Sequence, residues 1–363
     1  MVSIKLVNIS KKGIRKQILE NISLTVNDKE LFVINGPPGA GKSTLLKIIA
    51  GLINPDEGDI FIGENRVNDV PANERGVGML FETPAIYPNL TGFDNIAFPL
   101  RIKKISEDEV KKKVKEVADF LQISHLLNRK PTTYSGGELQ RVALARVLVR
   151  TPSILLLDEP LKNLDAKIRE SMRVELKRLQ RELGITTIFA THDQLEALTI
   201  GDRIAVINEG IIHQIDIPEN VYNHPKTVFT ARFIGSPPIN LIECTLEKEG
   251  GKCILKTPEF KIDFTEYAKL FENYENGYKF LLGIRPEDII LHKETKEATG
   301  IIGTVQLIDN VGDEKIVSIK INGKVLTSII GKEAILNYGQ KVYIEINMDK
   351  VHIFDTKDNR SIL

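Results

Sequence analysis

Charge of one sign, cysteine and long apolar runs are all scarce in this chain. Lys and Arg total 49 and Asp and Glu also total 49, so no positive excess exists to coat a nucleic acid. With 42% hydrophobic residues, the composition is that of a folded globular protein rather than a disordered one. The 2 cysteines, Cys244 and Cys253, lack C-x-x-C spacing and nearby histidines, which argues against a disulfide or zinc site and for incidental thiols in a reducing compartment. No stretch reaches the roughly 18 to 20 apolar residues of a membrane span. The opening Met1-Val2-Ser3-Ile4-Lys5 has no basic stretch followed by an apolar run. Any membrane work is therefore expected to go through a partner. Internal repeats and low-complexity tracts are absent as well.

What the chain does have is length and pattern. Its 363 residues favour two domains. From 1 to 235, apolar runs of strand length alternate with helical periodicities, as an α/β domain with a partly parallel sheet should read. Turn signals at Lys12-Gly13 and Asn27-Asp28 predict hairpins flanking the central sheet. Between about 84 and 150 strand signals vanish and helices take over. One is predicted to start at Ser106 as N-cap with Glu109 completing a capping box, followed by Val110, Val114, Val117 and Leu121 at helical spacing. Lys111, Lys112 and Lys113 read as a solvated face. At Gly235-Ser236-Pro237-Pro238 the pattern breaks, and 236–363 show short alternating runs with turns such as Asn322-Gly323, predicting a second, β-rich domain built as a small barrel.

The chemistry concentrates in four places. The buried-strand run Leu31-Phe32-Val33-Ile34 leads into Gly36-Pro37-Pro38-Gly39-Ala40-Gly41-Lys42-Ser43-Thr44 and then a helix marked by Leu45, Ile48 and Ile49. This is G-x-x-x-x-G-K-S in strand–loop–helix context: glycines let amide N–H groups wrap phosphates, Lys42 reaches the β and γ phosphates, and the Ser43 hydroxyl ligates Mg²⁺. Ile154-Leu155-Leu156-Leu157 delivers Asp158 and Glu159 at a strand's carboxyl end, where α/β sheets bind ligands. Acid pairs at strand ends are commonly structural; beside a P-loop, Asp158 is read as holding Mg²⁺ and Glu159 as polarising the attacking water. A further strand run, Thr186 to Ala190, ends at Thr191-His192-Asp193 and brings an imidazole to hydrogen-bonding reach of a γ-phosphate. Ser135-Gly136-Gly137 opens the helical run Leu139, Val142, Ala143, Ala145, Leu148. That is a second anion cradle, useful if it closes over nucleotide held by another subunit.

The ordered set GPPGAGKST, YSGGELQRVALAR, ILLLDEP, NLDA and THDQLEAL resembles the ABC-transporter ATPases, and Tyr222 to Asn240 with Gly283-Ile284-Arg285-Pro286-Glu287-Asp288 is similar to their maltose-type, carbohydrate-importing branch. The resemblance implies an ATPase domain with a helical subdomain, then an oligonucleotide/oligosaccharide-binding-like (OB-like) regulatory barrel. It implies ATP and Mg²⁺ as ligands, with Gly36 to Thr44, Ser135, Gly136, Gly137, Glu138 and Asp165 around the nucleotide. It further implies Ser43, Glu82 and Asp158 near the metal, with Glu159 and His192 catalytic. The implied partners are a second ATPase subunit, either identical or a paralogue, transmembrane permease subunits and, indirectly, an extracytoplasmic solute-binding protein; the expected location is peripheral, on the cytoplasmic face of the membrane. Four positions depart from the pattern: Glu82 stands in place of a glutamine, Lys162 in place of a small residue, and Tyr134 and Glu138 flank the signature. No Phe, Tyr or Trp precedes Phe32, where the family stacks an aromatic on adenine. Two rival readings stay open, a soluble ABC ATPase outside transport and a low-activity regulatory subunit paired with an active one.

Overall fold

The computed structural model describes residues 2–162, 164–293 and 301–363. Two compact units divide at Pro218/Glu219.

In the first unit, β1 (Ile4–Lys12) and β2 (Gln17–Val26) form the expected hairpin, and β4 (Glu57–Ile62) and β5 (Asn65–Arg66) extend it into a four-stranded antiparallel sheet, order β2-β1-β4-β5. The second expected hairpin does not form. The turn at Asn27-Asp28 instead carries the chain from that sheet to β3 (Leu31–Asn35) in another. All five residues of β3 are buried, and a strand covered on both faces belongs inside a parallel sheet. That sheet has six strands in the order β10-β9-β3-β8-β7-β6, comprising β6 (Val77–Leu80), β7 (Ile154–Asp158), β8 (Thr186–Thr191), β9 (Arg203–Asn208) and β10 (Ile211–Asp216). Only β10 runs antiparallel, as a hairpin on β9. The helix α1 (Lys42–Ile49) fills the space between the two sheets with Leu45, Leu46, Ile48 and Ile49, all fully buried in one core with β1–β4, β7 and β8.

The helical stretch contains α2 (Gly92–Ile102), α3 (Glu107–Phe120) and α4 (Gly136–Leu148), followed beyond β7 by α5 (Ala166–Leu183) and α6 (Gln194–Ile200). Val110, Val114 and Ala118 form the buried stripe of α3. Ser106 does occupy the N-cap position, but among the described residues its side chain makes no cap hydrogen bond. Glu107, Asp108 and Glu109 in the first turn favour the positive end of the helix dipole, and Glu107 also pairs with Arg101 at 2.8 Å. The capping box falls on α4 instead.

The second unit begins earlier than the break at 235 suggests. Helices Pro218–Asn223 and Val228–Phe233 lead into it, and its chain end returns beside them: Val228 N–H donates to Asn359 O and Ser361 N–H to Lys226 O. The buried guanidinium of Arg285 stacks 3.7 Å from the Tyr222 ring centroid and donates to Ile234 O at 2.8 Å. These bonds tie 219–235 to the β-rich unit, so the Gly/Pro break lies inside that unit rather than at its edge. Beyond it, two five-stranded antiparallel sheets share one core that includes Phe264, Phe271, Phe280, Leu282, Val317 and Ile344. Asn322 and Gly323, at φ 42° and 103°, make the two-residue turn between strands Glu314–Ile321 and Lys324–Gly331. Cys244 and Cys253 are buried free thiols.

Candidate functional site

The carboxyl ends of the parallel strands β3, β7 and β8 bring the sequence candidates together. β3 ends at Asn35, and the loop 36–41 turns tightly under the sheet. A Cβ on Gly36 would lie 2.0 Å from Ile207 O, so only glycine fits, and Gly41 takes φ 104° at the N-terminus of α1. The loop aims the first N–H groups of α1 at the space above it, which is the geometry that favours an anion. Lys42 is 5% exposed; its Nζ donates to Gly36 O at 2.7 Å and Pro37 O at 3.1 Å and lies 3.3 Å from Glu159 Oε1. A buried ammonium parked on loop carbonyls and a carboxylate holds its charge ready for a stronger anionic partner.

Ser43 Oγ donates to Asp158 Oδ1 at 2.9 Å. Burial pushes the Asp158 carboxyl up, and the neighbouring Glu159 and Glu82 charges push the same way against the Ser43 hydrogen bond. A divalent cation between these oxygens would relieve that penalty. Among the described residues no three His, Cys, Asp or Glu side chains cluster as a self-sufficient metal cage. The Ser43 hydroxyl and the Asp158 carboxylate are hard oxygen donors and fit Mg²⁺, which takes one or two protein oxygens and completes its shell with substrate phosphates and water.

Glu159 adopts φ 47°, rare for a residue with a side chain, and its N–H is held by Ala190 O at 2.9 Å. The carboxylate is thus fixed between two partners, Lys42 on Oε1 and His192 Nδ1 on Oε2 at 2.6 Å. His192 is positioned in turn by a network that sequence reasoning missed. The wholly buried Asn35 donates from Nδ2 to Thr191 O and Asp193 O, while Thr191 Oγ1 donates to Glu196 and accepts from Asp193 N. Among the described residues Asn35 Oδ1 has no hydrogen-bond partner. A polar residue closing an otherwise apolar buried strand run was the available signal.

The remaining candidates lie apart from the P-loop. Ser135 caps α4 by accepting from Glu138 N, and Glu138 Oε2 accepts from Ser135 N at 2.8 Å, so Glu138 serves the capping box. Tyr134 Oη donates into the pair of carbonyls Leu126 O and Arg129 O, which fixes the loop before α4. α4 packs on α2, α3 and β6, whereas α1 packs on β7 and β8. Among the described residues no hydrogen bond or ion pair joins 135–138 to 36–44. Asp165 accepts from Ile168 N and caps α5; Asn163 of the NLDA motif lies outside the described residues. Glu82 Oε1 accepts from Lys162 Nζ at 2.7 Å, so two of the departures from the family pattern meet each other. Ile14, in the turn between β1 and β2, is fully exposed.

A P-loop on the first parallel strand, with a Ser/Asp oxygen pair and a glutamate–histidine pair at its mouth, defines a nucleoside-triphosphatase site. Residues 19–162 match the ABC transporter family, 235–289 the MalK OB fold domain and 282–354 the TOBE domain. Over 374 aligned positions, covering all of both chains, the protein is 40% identical to the trehalose/maltose import ATP-binding protein MalK of Thermococcus litoralis. It is 38% identical to the maltose/maltodextrin import ATP-binding protein MalK of Aliivibrio fischeri, over 98% of this chain and 96% of that one. A solved ATP-binding cassette, dimeric in a post-hydrolysis state with ADP and Pi, superposes at a TM-score of 0.54 with 34% identity, over 59% of this chain and 98% of its own. The chain belongs to the ABC-transporter ATPases of the MalK type, and it is an ATPase with an α/β ABC domain, a helical subdomain and a β-rich OB/TOBE domain.

Proposed function

We propose that this ATPase drives import of a sugar as a dimer bound to a membrane permease at the cytoplasmic face. The observation that carries the dimer is the split between two anion cradles: the loop 36–44 is complete with its own acid, base and cation, while among the described residues the capped N-terminus of α4 has no hydrogen bond or ion pair to it. A second copy supplying Ser135, Gly136 and Gly137 gives that cradle its use. Among the described residues no helix is long and apolar enough to cross a membrane, which leaves the membrane passage to a partner. The sugar is the substrate class in the names of the MalK relatives.

At the site, Lys42 leaves the carbonyls of Gly36 and Pro37 for phosphate oxygens, and that frees Glu159 Oε1. Held by His192 on its other oxygen, Glu159 then accepts the proton of the attacking water. Ser43 and Asp158 would hold Mg²⁺, which neutralises charge on the phosphates. Affinity isolation of the tagged chain from native membranes tests the transport reading. It should bring down a multi-span permease, and ATPase activity of that complex in liposomes should rise when a maltose- or trehalose-class sugar and its binding protein are added. Recovery of the chain alone, or a complex indifferent to every such sugar, would refute it.

A further inference from the structure

We propose that Lys162 is a positioning residue of the nucleotide site, which clamps the Glu82 carboxylate across the mouth of the site and cancels the charge it would set against a bound triphosphate. The proposal rests on the reading that Mg²⁺ and ATP bind at the 36–44 loop.

The topology puts both residues at one sheet edge. Glu82 lies two residues beyond β6, the strand paired in parallel with β7, and Lys162 lies in the turn after β7. That turn is closed by Lys162 N–H donating to Glu159 O at 3.3 Å, directly behind the general-base candidate. The Nζ–Oε1 contact of 2.7 Å therefore links the loops leaving two adjacent strands, 80 residues apart in sequence.

The pair is within electrostatic reach of the site. Lys162 donates its N–H to Glu159 O, and the Glu159 carboxylate meets Lys42 at 3.3 Å and His192 at 2.6 Å, so the Glu82–Lys162 pair is anchored on the same loop as the acid it stands beside. Lys42 pairs with Glu159 and Lys162 with Glu82, while Asp158 adds a third carboxylate and Lys47 a further cation acting on it. Without Lys162, the Glu82 charge would stand unpaired beside an incoming polyanion. Neither Glu82 nor Lys162 can be understood alone: a carboxylate at 82 opposes the ligand, and a lysine at 162 removes the opposition. Each side chain is 43% exposed, so water and salt screen the effect and its size is modest.

Isothermal titration of the full chain with Mg²⁺ and the slowly hydrolysed analogue AMP-PNP tests this in five forms: parental, Lys162→Ser, Lys162→Arg, Glu82→Gln and the Lys162→Ser/Glu82→Gln double variant. Lys162→Ser should weaken binding about two- to fivefold, the range expected of a partly exposed charge pair, and the deficit should shrink as salt rises. Lys162→Arg, which keeps the cation, should bind like the parent. The double variant should return to within about twofold of the parent, because removing Glu82 removes what Lys162 neutralises. The proposal is overturned if Lys162→Ser binds like the parent, or if the double variant is as weak as Lys162→Ser, which would make Lys162 a ligand contact in its own right. A parental chain that fails to bind Mg²⁺·AMP-PNP at all would overturn the nucleotide-site reading and this proposal with it, a result distinct from either of those.

Discussion

Replacing Glu159 with glutamine separates binding from chemistry, and the structure allows both effects to be sized. Glutamine keeps the shape and one acceptor, so His192 retains a partner for Nδ1, but the side chain no longer takes a proton from water. If general-base action is what is lost, hydrolysis should fall by about 10² to 10⁴, equivalent to about 3 to 5 kcal/mol of barrier. Binding should move the other way. In the free chain the Lys42–Glu159 contact of 3.3 Å lies between side chains 5% and 9% exposed. Its gross Coulomb attraction is about 5 kcal/mol at an effective dielectric of 20. Most of that is offset by desolvation, and a charged hydrogen bond exceeds a neutral one by about 1 kcal/mol net. Glu159→Gln removes this competitor for Lys42 and one negative charge near the phosphates, so ATP should bind about fivefold more tightly. Lys42→Ala, by contrast, should weaken nucleotide binding itself. Single-turnover phosphate release measures the first effect, equilibrium titration with ATP the second, and sedimentation with ATP should reveal an accumulated dimer. Turnover at the parental rate would refute the base assignment and return Asp158-Glu159 to a structural strand end. Weaker ATP binding would refute the electrostatic argument.

Two further outcomes are expected. With no aromatic residue before Phe32 and with Ile14 fully exposed, ATP and GTP should bind within about tenfold of each other, since stacking on a ring is worth about 1 to 3 kcal/mol and is missing here; a several-hundredfold preference for ATP in calorimetry would refute this. Burial pushes the His352 imidazole down to about 4, so between about pH 4 and 6.5 the unfolded chain binds the proton that the folded chain refuses. Stability of the second unit should therefore be full above pH 6.5 and fall by about 3 kcal/mol by pH 4. His352→Gln should flatten that slope in denaturant titrations followed by tyrosine fluorescence, which reports on this unit because it holds 6 of the 8 tyrosines, and equal slopes would refute the assignment.

The sequence by itself pointed to the chemistry proposed for the nucleotide site, because each motif is local. A glycine loop between a buried strand and a helix has few ways to fold, and an acid pair at the end of an apolar run falls at the sheet's ligand edge wherever that strand lies. The same locality marked the helix start at Ser135 and the Asn322-Gly323 turn. Capping was less legible: Ser106 and Ser135 both carry a glutamate three residues on, yet only Ser135 forms the box, while Glu109, the residue the first box would need, pairs instead with Lys113 one turn on. What only the tertiary structure decided depends on contacts between distant segments. Arg285 and the returning chain end draw 219–235 into the β-rich unit, although the Gly/Pro break comes later. Asn35 anchors the His192 loop from 156 residues away. Glu82 and Lys162, two isolated oddities in the sequence, become one ion pair because β6 and β7 lie side by side in parallel. Strand order in a sheet is set by packing across the whole unit, and no window of sequence contains it.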